Sequence, residues 1–191
     1  MNNNSDAYFT YLKSRSRMAF IYRHFWLYPI INLNLRGQTL DIGCGIGDML
    51  RARKNTIGVD INSETVDYCQ RLGLDARTME IDRLPFEAAS FDSAILDNVL
   101  EHIKEPTPLL TEVRRVLRPG GRLIVGVPGE RGYAADPDHK VYYDKDTLKN
   151  RLVECGFRSI RTLQMPLPIT ALSRKLTSYC IYGVFETSEN I

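Results

Sequence analysis

The chain has 191 residues, 43% hydrophobic and 25% charged, proportions that exclude a disordered or low-complexity polymer and suit one globular domain with its own core. A formal net charge of +2 supplies no strong field to recruit nucleic acid. Cys44, Cys69, Cys155 and Cys180 stand far apart without a CxxC pair, which argues against a zinc ribbon and for reduced, buried thiols in a cytoplasmic protein.

Residues 1–36 open on the polar "MNNNSDAYF", which lacks the basic-then-apolar order of a secretion signal. The rest, "YFTYLKSRSRMAFIYRHFWLYPIINL", is helical in tendency, aromatic and broken at Pro29. It carries Lys13, Arg15, Arg17, Arg23 and Arg36 against Asp6, so we expect a helical lid or cap over 1–36 and a separate α/β domain over 37–191. No apolar run approaches the roughly 20 residues that cross a bilayer.

From residue 37 strand and helix patterns alternate. "QTLDIG" reads as a strand, "DMLRAR" as the start of a helix, and "TIGVD" (56–60) as a buried strand ending at Asp60. In "SETVDYCQRLG", Val66, Cys69 and Leu72 recur one helical turn apart, with Ser63 as the expected cap and Gly73 as the end. "ARTME" is a weaker strand, and "FDSAILD" (91–97) the next, reached through a link that is short for a parallel crossover. Leu109, Leu110, Val113, Val116 and Leu117 then line one helical face, stopped by Pro119, Gly120 and Gly121. "RLIVGVP" reads as a strand, "DKDTLKNRLVECG" as a helix capped by Asp144 or Asp146, and "FRSIRTLQ" and "SYCIYGVFE" (178–186) as strands. This alternation predicts a Rossmann-like, doubly wound sheet, mostly parallel. The last two strands should be antiparallel, with the final one inserted beside the fifth.

"LDIGCGIGDML" (40–50) places Gly43, Gly45 and Gly47 at alternate positions after the first strand. A dinucleotide loop, G-x-G-x-x-G, would need a further glycine at 48 or 50, where Asp48 and Leu50 stand. The leading Asp41 would repel a pyrophosphate and attract a cationic ligand. With "GVD", "LPF", "FD", "LEH" and "LRPGG" following in order, the chain resembles class I S-adenosylmethionine-dependent methyltransferases over about residues 37–160. That resemblance implies S-adenosylmethionine as the cofactor, with S-adenosylhomocysteine as its product. It places Gly43, Cys44, Gly45 and Gly47 under the methionine and ribose, and Asp41 near the methionine amine. Asp60 would take the ribose hydroxyls, with Ile61 and Asn62 beside the adenine face. Glu80 and Ile81 would read the adenine edge, with Asp82 as rival. Asp97 and Asn98 would meet the methionine end and the acceptor.

The acceptor is less legible. No N-P-P-[YF] follows the fourth strand, where "LDNV" stands, which argues against methylation of nucleic-acid bases. The resemblance is closest to small bacterial enzymes of surface-polysaccharide and sugar modification. It implies a small-molecule or glycan acceptor, phosphate- or lipid-linked, with peripheral membrane contact through the basic aromatic segment. His139, in "YAADPDHKVYYDKDTL", is the candidate catalytic base. Asp136, Asp138 and His139 as a metal trio, or His139 as a loop hydrogen-bonder, are the competing readings, and no metal is assigned. Glu101 and His102 are expected to fix the following helix, Arg114 and Arg115 to lie on a solvated or ion-paired face, and Asp48 to complement a helix dipole.

Overall fold

The computed structural model describes residues 17–166, 176 and 179–188. Seven strands form one sheet in the order β3-β2-β1-β4-β5-β7-β6. They are β1 (Thr39–Ile42), β2 (Thr56–Asp60), β3 (Ala76–Thr78), β4 (Phe91–Asp97), β5 (Leu117–Pro128), β6 (Phe157–Met165) and β7 (Cys180–Thr187). The first five pair in parallel, and β7 runs antiparallel between β5 and β6. Strand order therefore reverses between β1 and β4, the place where open sheets of this kind leave a crevice beyond their carboxyl ends.

Alternation along each strand sends successive side chains to opposite faces. Leu40, Ile42, Ala94, Leu96, Leu123 and Val125 face one core with Leu109, Leu110 and Val113 of α5 (Thr107–Val116) and Leu148 and Leu152 of α7 (Lys145–Glu154). Ile95, Ile124, Tyr182 and Val184 face the other, where Met49 of α3 (Asp48–Ala52) joins Leu27, Tyr28 and Ile31. Those three belong to an N-terminal helical run: α1 (Arg17–Tyr22), a π-helical turn (Arg23–Leu27) and α2 (Tyr28–Asn32). A third cluster sets Cys44 and Leu50 against Val66 and Cys69 of α4 (Ser63–Arg71). A short α6 (Glu130–Ala134) follows β5. Among the described residues no helix is long and apolar enough to cross a membrane.

Two local expectations change. Asn62, one residue before Ser63, caps α4, its Oδ1 accepting from the Glu64 N–H at 2.9 Å. α5 ends at Val116, and Leu117 already pairs with Phe91; the ladder then shifts register before Arg122 meets Ser93, so Pro119 to Gly121 form an irregularity within β5. The short link from β3 to β4 holds no helix. Arg115 secures it by donating to the carbonyls of Phe86 (2.8 Å) and Leu84 (3.2 Å), while Glu112 accepts from the Leu84 N–H (3.0 Å) and pairs with Arg115 (2.6 Å). Of the sequence alternatives for α7, Asp144 is the cap, in a reciprocal box with Thr147.

Candidate active site

The glycine loop leaves β1 with positive φ at Gly43 (74°), Gly45 (51°) and Gly47 (78°), a region that side chains resist. Their surroundings are the chain's own. A Cβ on Gly43 would lie 2.6 Å from Val99 Cγ2, and one on Gly47 would lie 2.7 Å from Leu74 Cδ1 and 2.9 Å from Cys69 Sγ. Close internal packing thus requires two of the three glycines before any ligand arrives. Cys44 turns its side chain inward to Leu50, Val66 and Cys69, which leaves only its backbone to face a ligand.

Asp60 ends β2 buried beneath this loop. Its Oδ2 accepts from the Gly45 N–H at 2.8 Å and its Oδ1 from the Asn62 N–H at 2.9 Å, so one carboxylate ties the loop to the start of α4. Burial nevertheless raises its pKa above the usual carboxylate range. Asp41, also buried, is pushed well up by burial first and then by Asp97, with Arg23 acting in the opposite direction. Asp97 closes β4 and accepts from Tyr182 Oη (2.7 Å), Arg23 Nη2 (2.6 Å) and Asn98 Nδ2 (3.1 Å). Arg23 also donates to Tyr28 Oη at 2.7 Å and lies 3.7 Å from Asp48. The sequence makes Arg23 a candidate for gripping an acceptor anion; folding turns it onto two carboxylates. Arg15 lies outside the described residues.

Ile61 and Asn62 follow Asp60 at the carboxyl end of β2, with Ile61 exposed. Glu80, Ile81 and Asp82 are exposed in the turn after β3, where Glu80 bridges Arg83. Asn98 adopts φ 58° and donates its N–H to the Gly126 carbonyl at 2.9 Å.

A second group lies beside Asp97. The 3-10 turn Leu100–His102 follows β4, and the loop carrying His139 follows α6; Lys140 and Val141 N–H join them by donating to the Glu101 carbonyl at 2.7 and 3.0 Å. Glu101 does not cap α5, whose N-cap is Pro106. Its carboxylate is 1% exposed, and among the described residues no side chain donates to either oxygen. Burial pushes its pKa up to about 8, with its own backbone N–H opposing the shift and Asp97 and Asp136 adding to it. His139 Nε2 stands 3.9 Å from Glu101 Oε1 and 3.9 Å from Asp136 Oδ2, and its Nδ1 lies 2.8 Å from the Tyr133 carbonyl. A carbonyl only accepts, so Nδ1 carries the proton and Nε2 is left basic. His102 Nδ1 faces the Asp138 carbonyl at 3.4 Å, and the two imidazole centroids are 4.7 Å apart. Of the trio weighed from the sequence, Asp136 lies 3.9 Å from His139 Nε2 and Asp138 offers its carbonyl to His102, while Glu101, His102 and His139 are the donors that gather. Sequence reasoning missed Glu101 as a site residue; its signal was an acid beside a histidine directly after a buried strand.

Residues 40–125 match the family model of a methyltransferase domain. The chain is similar to an uncharacterised 37.1 kDa protein in transposon Tn4556 of Streptomyces fradiae, 37% identical over 117 residues, which are 54% of this chain and 34% of that one. It is similar to the ubiquinone biosynthesis O-methyltransferase of Xanthomonas oryzae pv. oryzae, 32% identical over 110 residues, 51% of this chain and 46% of that one. The chain thus spans a third to a half of the length of these two relatives. In three dimensions it is similar to a SAM-dependent methyltransferase of Thermotoga maritima described as a possible histamine N-methyltransferase, with TM-score 0.73 over 95% of this chain and 98% of that one. At 19% identity that likeness concerns the fold alone. Residues 40–125 thus match a methyltransferase domain within a Rossmann-like sheet, and the solved structure that shares this fold is described as SAM-dependent.

Proposed function

We propose that the chain transfers a methyl group from S-adenosylmethionine to an oxygen of a small-molecule, sugar or glycolipid acceptor. One observation carries this reading: an acidic crevice suited to a cationic ligand adjoins a buried acid–imidazole group, both beyond the carboxyl ends of the central strands. Asp41 and Asp97 would face the cofactor's ammonium. Asp60 would turn its remaining lone pairs to the ribose hydroxyls, and Gly43, Cys44, Gly45 and Gly47 would present backbone to it. Ile61, Asn62, Glu80 and Ile81 would border the adenine, and Asn98 the methyl end. When bound, the cofactor supplies a carbon made electrophilic by its sulfonium. The acceptor oxygen must be held in line with that carbon at about 3 Å. As the new carbon–oxygen bond forms, the methyl carbon's bond to sulfur would break, S-adenosylhomocysteine would leave, and the hydroxyl proton would pass to His139 Nε2; removal of that proton is worth about 10² to 10⁴ in rate.

Exposed Phe25 and Trp26 of the N-terminal run offer apolar surface to a lipid-linked acceptor, with Arg17 nearby in sequence for its phosphate. The test is transfer of labelled methyl to nucleotide-sugars, glycolipids and quinones. His139→Ala should keep cofactor affinity and lose about 10² or more in turnover. Cofactor binding with no turnover on any acceptor would point instead to a silent regulatory binder.

A further inference from the structure

We infer that Glu101, His102 and His139 form a binding site for one divalent cation of the borderline class that includes zinc and cobalt. One ring nitrogen from each histidine and one Glu101 oxygen lie within 4.8 Å of one another. Two imidazoles and one carboxylate are a donor set that holds zinc in catalytic sites, with a further position left open.

Proximity is not the whole case. Glu101 is 1% exposed, and among the described residues no side chain donates to either carboxylate oxygen. A buried carboxylate in that position must take a proton or a cation. The two histidines decide between these. His139 Nδ1 is tied to the Tyr133 carbonyl and His102 Nδ1 to the Asp138 carbonyl. This is the outer-shell arrangement that fixes the tautomer of a metal-binding imidazole, and in His139 it leaves Nε2, 3.9 Å from Glu101 Oε1, as the ligand atom. A proton alone on Glu101 would not require two rings so oriented.

Bonds of about 2.0 to 2.2 Å set ligand atoms roughly 3 to 3.5 Å apart, so the cluster closes by about 1 Å on binding. The His139 Nε2–Glu101 Oε1 separation of 3.9 Å is already near that range. Asp136 Oδ2, 3.9 Å from the same nitrogen and on a more exposed side chain, can supply a fourth ligand or yield its place. A position left for an acceptor oxygen would let the cation lower that hydroxyl's pKa, and with the cation bound this acidification takes over the proton removal that unmetallated His139 Nε2 would perform. This last step rests on the transferase reading; cation binding does not.

The experiment uses the full chain, stripped with a chelator and titrated with Zn²⁺ by calorimetry. The ring signals of its three histidines are followed by NMR. We expect one equivalent bound, with the His102 and His139 signals shifting and the His24 signal unmoved. Glu101→Gln and His139→Ala should each weaken binding at least about tenfold. Absence of binding, unchanged affinity in both variants, or a shift confined to His24 would overturn the inference. If neither variant folds, the histidine signals of the unaltered chain decide it. Cofactor titration of the same stripped protein keeps this question apart from the transferase reading, because cofactor binding there survives a failure of the metal site.

Discussion

Both oxygens of Asp60 accept main-chain N–H groups, while the same carboxylate is assigned to the cofactor ribose. Its loss is therefore felt twice. Hydrogen bonds to a charged group are worth about 1.5–3 kcal/mol each. Asp60→Ala should lower unfolding free energy by at least about one such bond, because burial of the carboxylate offsets part of the two, and cofactor affinity by at least about tenfold; denaturant unfolding and calorimetry measure the two. Unchanged affinity in a folded variant would remove Asp60 from the ribose site. Asp41 gives a pH prediction. Its pKa is raised by burial and then by Asp97, so its contribution to stability is full below the ordinary carboxylate range and is lost as pH rises through the raised value. A cation bound between the two acids favours ionised Asp41, so cofactor binding should release a proton. Affinity should then weaken as pH falls through Asp41's raised value. Calorimetry in buffers of different ionisation heat reads the proton count, and a count of zero throughout would contradict this placement.

Elements are legible in the sequence to the extent that their signals are local. The apolar runs of β1, β2, β4 and β5 and the one-sided pattern of α5 announce themselves because burial sets their period. Asn62 and Ser63 both suit a helix N-cap, so composition alone does not choose between them. The surroundings of Glu101 and Arg115 escape a sequence reading for a different reason. Glu101 acquires its neighbours from a loop that follows β5, and Arg115 from backbone carbonyls before β4; neither partner is visible in a window around the residue. The glycine loop shows the converse, where an evident pattern has two causes. Gly47→Ala meets both positive φ and the contacts with Leu74 and Cys69, whereas a methyl group added at Gly73, where φ is 74°, would have nothing within 4 Å. Gly47→Ala should therefore destabilise by about 1–3 kcal/mol more than Gly73→Ala in denaturant unfolding. Equal losses would assign the whole requirement to φ.

Across the whole molecule, the N-terminal run is both cover and core. Leu27, Tyr28 and Ile31 are buried against the sheet, while Met18, Phe20 and Phe25 remain exposed. Deleting residues 1–22 should thus leave a cooperatively folding protein that retains Arg23 on Asp97. Deleting 1–36 should abolish cooperative thermal unfolding, since it strips apolar cover from Ile95 and Ile124. Two similar melting curves would show that the sheet face does without it. The position of β7 has another consequence. The ribosome delivers β6 before β7, yet β7 lies between β5 and β6, and its Tyr182 holds Asp97. A nascent chain therefore has an open β5 edge and a crevice without its Tyr182 buttress until residue 182 has emerged. Over that interval the unpaired edge is a template for strands of neighbouring chains, which makes crowded polysomes the setting where this protein is most exposed to misassembly.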